Sequence, residues 1–394
     1  MWVVCALLAA TVVATQVEAV TVPVGVGTFQ VHGFVSQAYL LTNQNDLFGN
    51  SDGGGSFDFR EMALNASWRL TPSFTVAAQG LSRRAGEGED GTPSLDYAFA
   101  DLRLLSTEDA TVGLRAGRLL TPLGLHNEVR DRAFLRPGIL IPQSIYFDRT
   151  RDLAISGDGG FVYAERRGPL GVVTVDLEFG LPRDLNEEVE YGLFGRDAPG
   201  KMDTRFSWVG RVAYASLGNT FRLALSGGRV RMQYDPAGAG DPIPDGSLEF
   251  APLILSAELR PGLWTLTSEY ALRFFTVSGF GPPAEEFTGE SCYLQIARRL
   301  FEDWEGFIRL DVLYQDRGDR TGGGYERDTG LPAHTRFARD WTLGLRWDIT
   351  PRWMARAEYH RVDGTGWIPR VDNPDVFDLE RRWNLVSVLL SYRF

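Results

Sequence analysis

The sequence predicts an all-β chain, folded as a transmembrane antiparallel β-barrel of sixteen strands. Three observations predict it. Along nearly the whole chain, apolar and polar residues alternate in runs of about ten, the period of a strand with two unlike faces. The connections between runs alternate strictly between very short and long. The charged residues in these runs share the face opposite the apolar one, which reverses the plan of a soluble barrel, whose interior is packed with apolar side chains.

Composition agrees with this class. Hydrophobic residues make up 44% of the 394 and mean hydropathy is -0.15, which excludes a bundle of membrane helices. Beyond residue 20 no stretch approaches the roughly 18 apolar residues that a spanning helix needs. A barrel strand needs an apolar residue only at every second position. Net charge is -11 and Lys201 is the only lysine among the basic residues; no basic block points to a nucleic-acid partner. Residues 1–19 read as a signal peptide, with an apolar core and a small-x-small cleavage site at Val17-Glu18-Ala19. No Lys or Arg precedes that core. Cleavage removes Cys5 and leaves Cys292 alone, so hydrogen bonds rather than a disulfide must close the fold. No linker divides residues 20–394, which form one barrel domain.

The strands fall, in order, near 31–42, 57–70, 74–83, 95–105, 111–120, 156–167, 171–180 and 204–216. They continue near 220–234, 248–260, 263–277, 291–300, 305–316, 339–349, 352–363 and 382–394. Tight turns such as Thr71-Pro72-Ser73, Gly168-Pro169-Leu170 and Pro261-Gly262 join every second pair. The other connections are long, near 43–56, 84–94, 121–155, 181–203, 235–247, 278–290, 317–338 and 364–381. Strict alternation puts all tight turns at one end of the barrel and all long loops at the other. A soluble sandwich has no reason to do so.

Facing follows from parity. Trp341, Leu343, Leu345, Trp347 and Ile349 share one face of their run, opposite Thr342, Gly344, Arg346 and Asp348. Charges on the inner face need water, which predicts a wet lumen. Trp68, Phe74, Trp264, Trp304, Trp347, Trp353 and Phe394 gather beside the short turns, as an interfacial girdle would.

One segment breaks the pattern. Residues 121–155 hold five arginines against four acids, three prolines and the apolar middle Gly138-Ile139-Leu140-Ile141. A connection this long without its own periodicity is usually functional, and this one is expected to fold into the barrel mouth and narrow it.

Val386 to Phe394, apolar at every second position and ending in phenylalanine, resembles the C-terminal strand of bacterial outer-membrane proteins. Sixteen strands with the longest loop third among the long ones resemble the general porin superfamily. That resemblance implies short periplasmic turns, long external loops, and a third external loop folded into the lumen as the constriction. It also implies a homotrimer in the outer membrane. Gly117-Arg118-Leu119-Leu120-Thr121-Pro122-Leu123-Gly124 resembles, more weakly, the strand-to-loop junction of the phosphate-selective porins. The sequence departs from it at Leu120, where that family has lysine, and at Leu123, where it has phenylalanine. Phosphate selectivity does not follow.

On this reading the constriction charges are Glu128, Arg130, Asp131, Arg132, Arg136, Asp148, Arg149, Arg151 and Asp152. Inward parity adds the wall residues Arg115, Arg211, Arg273, Arg309, Arg346 and Arg356, with Asp101, Glu258, Glu269 and Asp311 as candidate acids. Alternatively these arginines and acids pair and simply hold the barrel's shape. The seven other long loops carry 24 acids against 10 bases, so they favour cations. The third loop, at +1, opposes them and gives a weak lean to anions because charges nearest a constriction dominate. The function expected is passive diffusion of small hydrophilic solutes or ions, with lipid and lipopolysaccharide as surroundings. No catalytic residue and no cofactor are expected; Asp46/Asp52 and Asp372/Asp375 are weak candidates for a structural Ca2+, matching no defined calcium loop. The alternatives are a barrel enzyme of protease or lipase type, and a structural or adhesive barrel. A protease would draw on His334 near Asp340; His126, like His334, is external, and His360 faces inward, the wrong side for a lipid-facing lipase.

Overall fold

A computed structural model describes residues 20–23, 27–183, 190–191, 194, 198–280 and 285–394. The expected signal peptide, 1–19, lies outside them. Among the described residues seventeen strands run in chain order: β1 (Val20–Pro23), β2 (Thr28–Thr42), β3 (Ser56–Thr71), β4 (Phe74–Ala85), β5 (Ser94–Ser106), β6 (Ala110–Leu120), β7 (Ser156–Gly168) and β8 (Gly171–Pro182) come first. They are followed by β9 (Lys201–Ser216), β10 (Phe221–Asp235), β11 (Gly246–Leu259), β12 (Trp264–Gly279), β13 (Glu285–Phe301), β14 (Trp304–Tyr314), β15 (Phe337–Asp348), β16 (Trp353–Gly364) and β17 (Arg382–Arg393).

Each of the sixteen long strands, β2 to β17, pairs antiparallel with its neighbours in sequence, and β17 pairs back onto β2 with Val386 opposite Leu41. The sheet is therefore a closed barrel with no free edge, so no row of backbone N–H and C=O groups meets lipid unpaired. The short β1, absent from the sequence reading, pairs with β2 at Val20–Val31, beyond the end of β17. Phe394 N–H donates to Gly33 O at 3.0 Å and Gly33 N–H to Phe394 O at 3.2 Å. A Cβ at Gly33 would meet the Phe394 ring at 2.4 Å, so that position is confined to glycine while the ring stays seated.

The facing is the one expected. Leu253, Leu255, Trp341, Leu343, Val386, Val388 and Leu390 are exposed on the outer wall. Glu269, Arg309, Asp311, Glu358 and Ser387 are buried inside. Trp304 stacks on Trp347 at 5.1 Å, and Trp353 meets Tyr392 at 4.8 Å, at the short-turn end. Turns there are two to four residues; Gly262 (φ 63) and Gly218 (φ 73) take left-handed conformations that only glycine adopts without strain.

One long loop is shorter than expected. The connection placed at 278–290 shrinks to 280–284, because β12 continues to Gly279 and β13 begins at Glu285. Above the membrane both faces of a hairpin can be polar, so the ladder extends without an apolar alternation to reveal it. At the same end, Asp372 of the last loop accepts from Phe48 N (3.0 Å), Gly49 N (3.3 Å) and Glu87 N (2.9 Å). One carboxylate thus ties three loops together.

Candidate functional site

The third long loop leaves β6 at Leu120 and returns at Ser156, its neck closed by Thr121 N–H donating to Ile155 O at 3.0 Å. Pro122, Pro137 and Pro142 fix φ and supply no donor, which is why the segment has neither strand nor helix period. Only short 3-10 turns (Asn127–Val129, Asp148–Thr150) and one helical turn (Arg151–Ile155) interrupt it. Its apolar middle packs inward. Ile139 and Leu140 join a buried cluster with Phe59, Leu313, Met354 and Leu389, on one side of the barrel. Leu123, Ile141, Ile145 and Tyr146 join another with Val209, Ile254, Ala271 and Tyr293. The loop therefore crosses the lumen from wall to wall.

Polar groups of the wall hold its backbone in place. Glu358 accepts from Ile139 N–H (2.5 Å) and Leu140 N–H (3.3 Å), and Arg309 donates to Leu140 O (3.1 Å). Arg356 donates to Arg136 O (2.8 Å), Arg346 to Phe134 O (3.1 Å) and Arg273 to Ser144 O (3.2 Å). Glu269 accepts from Leu125 N–H (2.9 Å) and from the Tyr146 hydroxyl (2.7 Å). A loop with no regular structure leaves its amides and carbonyls unpaired, and burial makes pairing obligatory. Here charged side chains do that work. Four of the six wall arginines expected at the pore, Arg273, Arg309, Arg346 and Arg356, are occupied as backbone clamps. Along β11–β17 the inward charges are thus buried against the loop instead of being bathed in water, a departure from the uniformly wet lumen expected.

The loop's own charges enter a buried ion-pair network against β3–β5. Arg136 reaches Glu61 at 2.7 Å; Arg83 pairs with Asp148 and Glu89, both at 2.7 Å. Arg151 binds Asp131 at 2.5 Å and lies 3.5 Å from Asp152; Arg130 lies 3.6 Å from Asp148. Burial pushes the Asp131 carboxyl up, but Arg151 outweighs it and holds the group at about 2. Arg132 bonds Tyr97, and Arg149 donates to Gly366 O at 3.4 Å. Of the nine loop charges singled out, Glu128 is the one that meets the wall arginine Arg211, at 2.6 Å.

That contact lies in the other half of the barrel. Of the inward side chains, Arg115 on β6 keeps 33% of its side chain exposed and Arg211 on β9 17%, and Glu128 of the loop keeps 34%, against residue exposures of 1% for Arg309 and 3% for Glu358 on the opposite wall. Two clusters lie side by side at one level of the wall. Arg115 pairs with Asp101 (2.8 Å), which also accepts from the Tyr163 hydroxyl (2.9 Å). Arg211 is shared between Asp176 (2.8 Å) and Glu128. The register Arg115–Asp101, Tyr163–Asp176 and Asp176–Arg211 makes this a continuous row. Asp176 and Tyr163 escaped the sequence reading; the inward parity of Asp176 in its run was the signal. Nearer the short-turn end, Arg69, Arg103 and Arg222 have inward parity, and Arg222 lies 3.5 Å from Glu258.

Asp340 accepts from His360 Nδ1 at 2.7 Å, while His334 Nδ1 contacts Thr365 Oγ1 at 3.0 Å, so the His334–Asp340 pairing is not formed. Burial pushes His126 down to about 3, assisted by Arg222 and Arg309. Among the described residues no three His, Cys, Asp or Glu side chains are arranged to hold a metal ion. Asp46 and Asp375 cap the local amides of Asp52 and Phe377.

No protein-family model matches the sequence, and no curated protein matches it. Solved structures do. The outer-membrane expressed OmpT of Vibrio cholerae is 9% identical with a TM-score of 0.58, over 95% of this chain and 100% of that one. The anion-selective porin from Comamonas acidovorans is 12% identical with a TM-score of 0.56, over 93% and 99%. Salmonella typhi OmpF, in complex with daunomycin, is 11% identical with a TM-score of 0.57, over 95% and 100%. The chain has the porin fold. It is a closed sixteen-strand barrel with an apolar outer wall, the kind of surface a transmembrane barrel turns to lipid. Vibrio cholerae OmpT is also described in a trimer form, 10% identical with a TM-score of 0.55 over 94% of this chain and 100% of that one.

Proposed function

We propose that this barrel is a non-enzymatic porin, a passive channel for small hydrophilic solutes and ions, running along the β5–β10 side of the lumen. One observation carries the reading: Asp101, Arg115, Asp176, Arg211 and Arg222 stay partly exposed on that side, while Arg273, Arg309, Asp311 and Glu358 on the opposite side are buried against the third loop. A structural barrel would gain nothing from leaving charged groups unpacked on one inner wall. The nine loop charges and six wall arginines then divide. Most anchor the loop, and Glu128, Arg115 and Arg211, with Asp101 and Asp176, form the constriction.

The weak lean to anions rests on the wall rather than the loop, since Arg130, Arg136 and Arg151 of the loop are spent in buried ion pairs. Arg69, Arg103 and Arg222 tilt the short-turn end of the passage positive, and the acidic external loops oppose them. A homotrimer is the assembly we propose, supported by the trimer form of the Vibrio protein.

Single-channel recording of the refolded protein in planar bilayers under a KCl gradient tests this. Stable stepwise conductance is expected, with a reversal potential of the sign that slight chloride preference gives. A barrel that inserts and never conducts overturns the channel reading.

A further inference from the structure

We propose that the cavity behind the neck of the third loop holds one monovalent cation of potassium size, bound by Glu178. The cavity measures about 30 Å³ and lies where Thr121, Leu123, Leu153 and Ser156 of the neck meet Glu178 on β8 and Val230 on β10. A water-sized body needs about 10–15 Å³. The space therefore takes one small ion and a water, and excludes an organic solute.

The carboxylate is the first argument. Glu178 points inward between Phe161 and Val209 and is only 6% exposed. The Thr121 hydroxyl answers it, and the one formal charge that acts on it among the described residues is another acid, Glu128. Its Oε2 has no hydrogen-bond partner among the described residues. A carboxylate taken out of water without a cation is strongly unfavourable, and a counter-ion removes that cost.

A second oxygen points the same way. Ser156, 1% exposed, lines the same cavity, and its Oγ also has no partner among the described residues. Gly157 leaves the room beside the carboxylate. A Cβ there would meet Glu178 Oε1 and Leu181 O, each at 3.0 Å.

The charge of the ion follows from the donor set. Calcium takes six to eight oxygens, several of them from carboxylates. One carboxylate and two hydroxyls, walled by Leu153 and Val230, suit a single charge. Thr121 and Ser156 stand at the two ends of the loop, beside the Thr121 N–H to Ile155 O bond of 3.0 Å. A cation held there ties both ends of the loop to β8.

The test uses potassium, with thallium(I) as its heavy-atom stand-in, on the full chain refolded in detergent. Crystals grown with thallium(I) should show anomalous density beside Glu178 Oε2 that Glu178→Gln abolishes. In solution at constant ionic strength, N-methyl-D-glucamine, too large for the cavity, is replaced by potassium at about ten times its Kd. Exchange of the Thr121 and Leu123 amides should slow about tenfold. Glu178→Gln keeps the shape of the side chain and removes a buried charge, so it should fold, and its exchange should not respond to potassium. Ser156→Ala keeps the carboxylate and should need several-fold more potassium for the same effect. Three results overturn the proposal: no anomalous density at Glu178, an undiminished potassium response in Glu178→Gln, or exchange that follows pH and ignores potassium. The last would give the carboxyl a proton in place of the cation. Glu178 is not part of the row at Arg115 and Arg211, so failure here leaves the channel reading intact.

Discussion

Replacing Glu358 with alanine should unlatch the third loop. Its carboxylate accepts two loop amides, Ile139 N–H at 2.5 Å and Leu140 N–H at 3.3 Å, at the centre of the buried apolar cluster. Each buried donor left without an acceptor costs about 1–3 kcal/mol. The longer bond belongs at the low end of that range, so the pair totals about 2–4 kcal/mol. His360, wedged between Asp340 at 2.7 Å and Glu358 at 3.2 Å, loses a partner as well. At 1.4 kcal/mol per decade, the open population of the loop should rise by roughly 30- to 1000-fold. Hydrogen exchange of the Ile139 and Leu140 amides reads this directly, and single-channel records should show added flicker to larger conductance. Glu358→Gln keeps one acceptor oxygen and should recover about half of the effect. If exchange at residues 139 and 140 in Glu358→Ala stays within about threefold of wild type, the carboxylate does not hold the loop and the clamp argument fails.

Three further outcomes follow from the same geometry. Arg211→Gln removes the cation shared by Asp176 and Glu128, and a unit charge a few ångströms from a passing ion in water is worth about 1 kcal/mol. The reversal potential in a KCl gradient should therefore move toward potassium, with the permeability ratio changing about fivefold, whereas Asp176→Asn should move it toward chloride. The Asp131–Arg151 pair should make loop packing acid-sensitive. The folded carboxyl, at about 2, lies below its unfolded value of about 3.9, so its stabilisation is complete above about pH 4 and lost as pH falls through 2. The loss is about 2 kcal/mol, read as protease sensitivity of 121–155 in wild type and abolished in Asp131→Asn. Asp372→Ala should free the first, second and last long loops together. Protease nicking near residues 48 and 87 should rise by an order of magnitude or more, with conductance unchanged; nicking confined to 365–381 would show that the three loops are not coupled through it.

The strands were legible because lipid imposes a rule on every second residue. Trp341, Leu343 and Leu345 declare the outer face of β15 without reference to anything distant in the chain. The sixteen runs, their facing and the alternation of turns with loops all follow from that local rule. Where lipid stops, the signal stops: 285–290 and Val20–Pro23 form strands that the alternation does not mark. The inward position of Asp176 was legible in the same way, yet parity alone gave it no role.

What parity could not reach was which inward charges meet the loop and which meet water. Arg309 and Arg211 have the same residue type, the same facing and comparable depth along their strands, and the sequence by itself treats them alike. The path of 121–155 separates them: its apolar middle buries Arg309 completely, while Arg211, which meets the loop only at Gly124 O and Glu128, keeps part of its side chain open. A backbone without secondary structure must find partners for its amides and carbonyls once buried, and Arg309 and Glu358 stand where they are needed. The sequence therefore determined a barrel with a charged interior and a loop to fill it; only the tertiary structure decided which charges are buried in fastening the loop and which stay partly open to the lumen.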